Sequence, residues 1–269
     1  MEQASGRVVT SVQALLSVAS GSLVGLTLGL VGGGGSILAV PLLVYVVGVH
    51  NPHVAIGTSA LAVAVSALVN LAGHARGGHV KWRCAAVFAI AGVAGATIGA
   101  QLGKMVDGGR LLALFGLLMI MVGGLMLRPR QQAGNADVRL TRSSAPRLLP
   151  PLIVAGFAVG LLSGFFGIGG GFLIVPGLMG ASGMPIINAI ASSLVAVASF
   201  GATTAASYAI SDLIDWPLAA LFIAGGALGG LAGVRLAGRL AARKHTLTVL
   251  FASLVIGVGC AVAASAFLR

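Results

Sequence analysis

Ten hydrophobic stretches, at 10–31, 36–49, 54–73, 84–103, 111–127, 148–166, 171–182, 186–210, 217–234 and 246–268, are separated by glycine-rich or polar breaks. No Asp, Glu, Lys or Arg occurs between Arg7 and Arg76, or between Arg147 and Asp212. One spanning helix needs roughly 20 apolar residues, so each uncharged run must fold back more than once. The stretches are continuously apolar rather than alternating, which excludes an outer-membrane barrel. They predict an all-α polytopic integral membrane protein. Two stretches are too short to cross. At 1.5 Å per residue, 36–49 reaches about 21 Å and 171–182 about 18 Å, against a hydrocarbon core of about 30 Å. These read as half-helices or re-entrant arms.

The polar stretch 128–147 divides the chain into an N-terminal transmembrane repeat, 1–127, a basic cytoplasmic linker, 128–147, and a C-terminal transmembrane repeat, 148–269. GLTLGLVGGGGSILAVP at Gly25–Pro41 returns as GLLSGFFGIGGGFLIVP at Gly160–Pro176. At an offset of 135, Gly25, Gly29, Gly32, Gly34, Gly35 and Pro41 fall on Gly160, Gly164, Gly167, Gly169, Gly170 and Pro176. At an offset of 134, Ala55-Ile56-Gly57-Thr58-Ser59 meets Ala189-Ile190-Ala191-Ser192-Ser193, and Trp82 meets Trp216. Each repeat is therefore a glycine-broken hairpin followed by three transmembrane helices. Matching interruptions in two halves of a hydrophobic chain are the pointer to a transporter's binding site.

Charge sets the expected orientation. If each broken hairpin returns to the side it came from, Arg76, Lys81, Arg83, the five linker arginines, Arg235, Arg239, Arg243 and Lys244 share one side. Positive-inside makes that side cytoplasmic. The two repeats are then inverted, with both termini outside the cytoplasm in the cytoplasmic (inner) membrane. No removable signal peptide is read at the N-terminus.

Composition sharpens this picture. Of 269 residues, 58% are hydrophobic and 8% charged, against about 25% charged in soluble domains. The net charge of +11 resides in short loops, so it argues topology and no nucleic-acid partner. The 42 glycines suit small-residue helix packing. Faces such as Gly92, Gly95 and Gly99 suit contact within a protomer or between two, as in a homodimer. Cys84 and Cys260 are isolated and read as small buried residues.

The candidate chemistry is anion binding. A half-helix N-terminus presents unpaired N–H groups and partial positive charge. The second arms begin at Ser36 and Gly171, directly after the glycine clusters, so Gly34, Gly35, Ser36, Gly169, Gly170 and Gly171 are candidate backbone donors. Thr58, Ser59, Ser192 and Ser193 offer hydroxyls, and Asn70 lies further along its helix. Packing glycines, and hydroxyls bonded to their own helix, are the competing explanation. No acidic residue lies within a hydrophobic stretch, which argues against a cation substrate or a carboxylate proton relay. His53, Arg76, Gln101 and Arg235 are candidate gating groups, Gln101 being the repeat partner of Arg235. His50, His53, His74 and His79 are too dispersed for one metal site. No enzyme, metal or cofactor is expected.

With these residues in view, the chain resembles the sulfite exporter TauE/SafE family of membrane transporters. The likeness rests on Gly25–Pro41, its copy Gly160–Pro176, and the continuations at Ala55 and Ala189. It implies a carrier that exports sulfite, sulfonates or other small organosulfur anions, with lipid and substrate as its partners. One central site between the repeats, opened by rocking one against the other, is the expected mechanism. A passive anion channel and a non-transporting scaffold or sensor are the alternatives.

Overall fold

In a computed structural model, residues 10–127, 140–141, 144–167, 171–239 and 244–267 are described, and all the elements among them are helical. The N-terminal half runs α1 (Ser11–Val31), a 3-10 segment (Gly32–Leu38), α2 (Ala39–Pro41), a π-helical turn (Leu42–Val46), α3 (Pro52–Arg76), α4 (Trp82–Met105) and α5 (Gly108–Leu127). The C-terminal half runs α6 (Ala145–Phe166), α7 (Gly171–Ser182), α8 (Ile186–Ala209), α9 (Trp216–Arg239) and α10 (Lys244–Phe267). Among the described residues, seven helices are long and apolar enough to span a membrane. Their outward faces carry large apolar side chains, with Ile90 73% and Leu228 66% exposed. Such a surface suits lipid rather than water. The chain is a multi-pass membrane protein.

The two broken hairpins differ in detail. α7 is an ordinary α-helix of 12 residues that contains Pro176. The first arm starts at Gly32 rather than Ser36 and changes pitch twice, from 3-10 through one α turn to a π turn. Pro41 lacks an N–H and its ring crowds the carbonyl four residues back. Proline alone does not set the change of pitch, because its repeat partner Pro176 sits in a regular α-helix. The π turn closes through the Val47 N–H donating to the Leu42 carbonyl at 2.9 Å.

Packing interleaves the halves. Along α1 and α9, Gly21 lies against Phe222, Gly25 against Gly226 and Gly29 against Gly230, so these helices run parallel. Along α6 and α4, Gly156 lies against Phe88, Gly160 against Gly92 and Gly164 against Ala96, again parallel. A Cβ at Gly25 would fall on the Gly226 carbonyl, and one at Gly160 on the Gly92 carbonyl. Glycine thus brings the backbones together where lipid gives no hydrophobic drive. Gly95 and Gly99 face Phe157 and Leu161 of α6, so this small-residue face is filled inside the protomer.

These contacts define two three-helix bundles, each drawn from both halves. α1, α3 and α9 pack mutually, and so do α4, α6 and α8. The seam between the bundles is α3 against α8. Gly57 meets Tyr208 and Gly201 meets Ala60 and Ala64, so the two helices run antiparallel. α5 and α10 form a separate antiparallel pair, with Gly116 against Gly259 and Gly123 against Ala252. Basic Arg76, Lys81 and Arg83 mark one end of the seam. Asp107, Asp212 and Asp215 mark the other.

Candidate functional site

The glycine breaks place the two arms in contact. The 3-10 segment that carries Gly34, Gly35 and Ser36 packs against α7, the helix that Gly171 opens, and also touches α8. Gly34, Gly35, Ser36 and Gly171 are all buried. Gly169 and Gly170 lie outside the described residues, as does most of the linker 128–147. Gly35 is pressed against α1, where a Cβ would meet the Leu28 nitrogen and the Thr27 hydroxyl. A 3-10 segment ties N–H groups to carbonyls three residues back, so the first arm offers fewer open donors than the start of α7. Gly167 ends α6 with φ 66°, donating its N–H back to the Gly164 carbonyl at 3.2 Å. A Cβ there would collide with Ile56 of α3, which makes glycine obligatory on two counts.

The hydroxyl pairs divide their work in a repeated pattern. The Asp215 N–H donates to the Thr58 hydroxyl oxygen at 3.0 Å, and the Lys81 N–H donates to the Ser192 hydroxyl oxygen at 2.9 Å. Thr58 and Ser192 correspond at offset 134, and so do Lys81 and Asp215. Each hydroxyl therefore fastens the residue just before Trp216 or Trp82 in the opposite half. Neither donates its own proton to an acceptor among the described residues. Ser59 and Ser193 instead donate to the carbonyls of Ile56 at 2.9 Å and Ile190 at 2.8 Å, three residues back. This is the local bonding that hydroxyls in apolar helices commonly adopt.

The gating candidates do not converge. Arg76 and Arg235 are exposed near the basic end, and Gln101 is exposed on α4. His53 is half-buried near the start of α3, where its N–H bonds the Asn51 side chain at 3.0 Å. Its ring lies 6.4 Å from that of Tyr208. Buried polar atoms that lack a partner among the described residues include Asn70 Oδ1, His74 Nε2, Thr204 Oγ1, Ser207 Oγ, Tyr208 OH and His53 Nδ1. Each such group costs about 1–3 kcal/mol when left unsatisfied. Reading the offset of 134 between Ser59 and Trp82 pairs Asn70 with Thr204 and His74 with Tyr208, which is the sequence signal for Thr204 and Tyr208.

The comparisons with known proteins agree with this architecture. The family model described as "Sulfite exporter TauE/SafE" matches residues 17–262. A "Probable membrane transporter protein" of Xylella fastidiosa (strain Temecula1) is 55% identical over 244 residues, covering 91% of this chain and 92% of that protein. The Bacillus subtilis "Probable membrane transporter protein YunE" is 29% identical over 270 residues, covering 94% of this chain and 96% of the other. No solved structure matches significantly.

Proposed function

We propose that this chain, which belongs to the sulfite exporter TauE/SafE family of membrane transporters, exports small sulfur oxyanions such as sulfite and sulfonates through one site between inverted repeats. The observation that carries this reading is the meeting of two glycine-broken arms, one from each half, inside the bundle. Inversion is supported by the repeat-equivalent helices α3 and α8 running antiparallel, as do α5 and α10. The first turn of α7 from Gly171 supplies backbone donors, Gly169 and Gly170 before it in sequence are further candidates, and Gly34, Gly35 and Ser36 belong to the arm packed against α7. Thr58 and Ser192, about 22 Å apart along the α3–α8 seam, stand on either side of the site and offer their remaining O–H groups at its two approaches. Ser59 and Ser193, whose protons are engaged, hold helix geometry. The basic end is cytoplasmic by the positive-inside rule, which puts both termini outside. His53, Arg76, Gln101 and Arg235 act at the mouths and not at the centre.

Energetics suit export. An inside-negative potential releases about 2.3 kcal/mol per 100 mV for each negative charge moved outward. No coupling ion is then required, in keeping with acidic residues that sit only in loops and tails. Two measurements test the reading. The purified protein should gain thermal stability with sulfite or a sulfonate, since a ligand that binds only the folded state stabilises it by mass action. In vesicles, sulfite efflux should rise with an inside-negative potential. Flux that ignores voltage and needs a proton or sodium gradient would overturn it.

A further inference from the structure

Buried polar atoms without partners gather at two places that the repeat relates. At offset 134, Asn70 and His74 of α3 correspond to Thr204 and Tyr208 of α8. The two places differ in chemistry. The Asn70 amide is wedged between α1 and α9, where Cβ atoms at Gly29 and Gly230 would come within 3.0 Å and 2.7 Å of it. Its Nδ2 donates to the Ser66 carbonyl at 2.8 Å, which leaves an acceptor. The α8 cluster is made of donors. Thr204 and Tyr208 are fully buried and Ser207 is 9% exposed, and none of their three hydroxyls has a partner among the described residues.

A cation stands beside the Tyr208 ring and the Ser207 backbone. Lys104 Nζ lies 5.8 Å from the centre of the Tyr208 ring. It donates to the Ser207 carbonyl at 3.2 Å and to the Ser211 hydroxyl at 3.1 Å. An ammonium has three N–H groups, so one is left over. Lys104 makes no ion pair among the described residues. Of the carboxylates at this end, Asp215 accepts from the Leu218 N–H at the start of α9, and Asp107 accepts from Gly109 and Arg110 at the start of α5. Asp212 is exposed. Closing the C-terminus of α8 accounts for the two bonds of Lys104. It does not account for the buried hydroxyls of Ser207 and Tyr208. Tyr208 also bridges the seam, contacting Gly57 on one bundle while Lys104 sits on the other.

We infer that Tyr208, Ser207 and Lys104 form a second, outer anion station, which holds a small oxyanion between the central arms and the acidic end. Two hydroxyl donors and an ammonium select a negative ligand, because a cation would meet Lys104. Thr204, one turn further into α8, lies on the inward side of the station. The inference rests on the transport reading above and adds a site to it.

Equilibrium dialysis of the purified full chain with radiolabelled sulfite, paired with efflux from vesicles, is the test. The unmodified chain should bind two sulfites per protomer. Tyr208→Phe keeps the ring packing and Lys104→Met keeps the stem, and each should bind one with the remaining affinity unchanged. Efflux should fall at least ten-fold in both, and Lys104→Arg should restore it. One sulfite bound per protomer in all forms, with unchanged efflux, would overturn the station and leave the central site standing. Absence of both sulfite binding and sulfite efflux in the unmodified chain would overturn the transport reading, and the station with it.

Discussion

The paired bridges from Thr58 to Asp215 and from Ser192 to Lys81 make a quantitative prediction about assembly. Thr58→Val keeps the shape of a side chain that is fully buried but removes the oxygen that accepts the Asp215 N–H at 3.0 Å. Ser192→Ala does the same for the Lys81 N–H at 2.9 Å. Losing a bond of this kind and stranding its donor costs about 1–3 kcal/mol. Both bonds are only part-buried, which points to the lower half of that range. On the antiparallel seam the two sites are some 15 residues apart along α3, about 22 Å at 1.5 Å per residue. Groups that far apart add independently, so the double variant should lose about 2–4 kcal/mol. Denaturant titration in detergent, without any anion, reads the effect directly. Thr58→Ser retains the accepting oxygen and loses one buried methyl, about 0.8 kcal/mol, so it should be less destabilised than Thr58→Val. Unchanged stability in Thr58→Val and Ser192→Ala would refute a structural role for these bonds. A double variant no worse than either single one would refute their independence.

The glycines make further predictions. Gly25→Ala and Gly160→Ala each drive a methyl onto a facing carbonyl, of Gly226 and Gly92. Each should cost at least about 1–3 kcal/mol or prevent assembly, whereas Gly124→Ala, with nothing within 4 Å of the new methyl, should gain about 0.5–1 kcal/mol. Thermal melts monitored by fluorescence size-exclusion chromatography separate these outcomes. Gly167→Ala pays for a left-handed φ of 66° and for a collision with Ile56. It should lose about 2–4 kcal/mol. Adding Ile56→Ala should fail to rescue it, because the shortened side chain relieves only the collision.

What the chain reveals before folding depends on which physics decides each feature. Hydropathy sets where helices start and stop, so the boundaries at Ser11–Val31, Ile186–Ala209 and Trp216–Arg239 fall close to the stretches 10–31, 186–210 and 217–234. The duplicated glycines likewise reveal both hairpins. The pitch of the first arm is decided by how Gly32–Gly35 and Pro41 share one short path, and no periodicity records that. Hydroxyls are ambiguous in a different way. Thr58 and Ser59 are neighbours of one chemical kind, yet one reaches across to Asp215 and the other bonds its own helix. Direction around the helix decides between them, and residue type does not. Partner choice is the least legible. Gly92, Gly95 and Gly99 announce a close contact without saying that α6, and not another protomer, fills it.

The interleaving of halves also changes what can move. α1 is locked to α9 by carbonyl contacts at Gly25, and α6 to α4 by those at Gly160. Rocking one sequence repeat against the other would tear both interfaces at once. Rocking the bundle α1–α3–α9 against α4–α6–α8 disturbs only the α3–α8 seam and the contacts of the arms, which is where the candidate site lies. Two cysteine pairs distinguish these motions in a background from which Cys84 and Cys260 have been removed. A Cβ at Gly201 would lie 3.0 Å from that of Ala64 across the seam, and one at Gly226 would lie 3.4 Å from that of Ser66 within a bundle. Both are near the Cβ separation of about 3.5–4.5 Å that a disulfide requires. Oxidised Ala64→Cys/Gly201→Cys should stop sulfite efflux, and reduction should restore it. Oxidised Ser66→Cys/Gly226→Cys should leave efflux within about two-fold of its reduced form, because that pair moves as one body. Loss of efflux in both oxidised pairs would restore the sequence repeat as the moving unit, since each cross-link ties one repeat to the other, and a harmless seam cross-link would overturn the bundle motion.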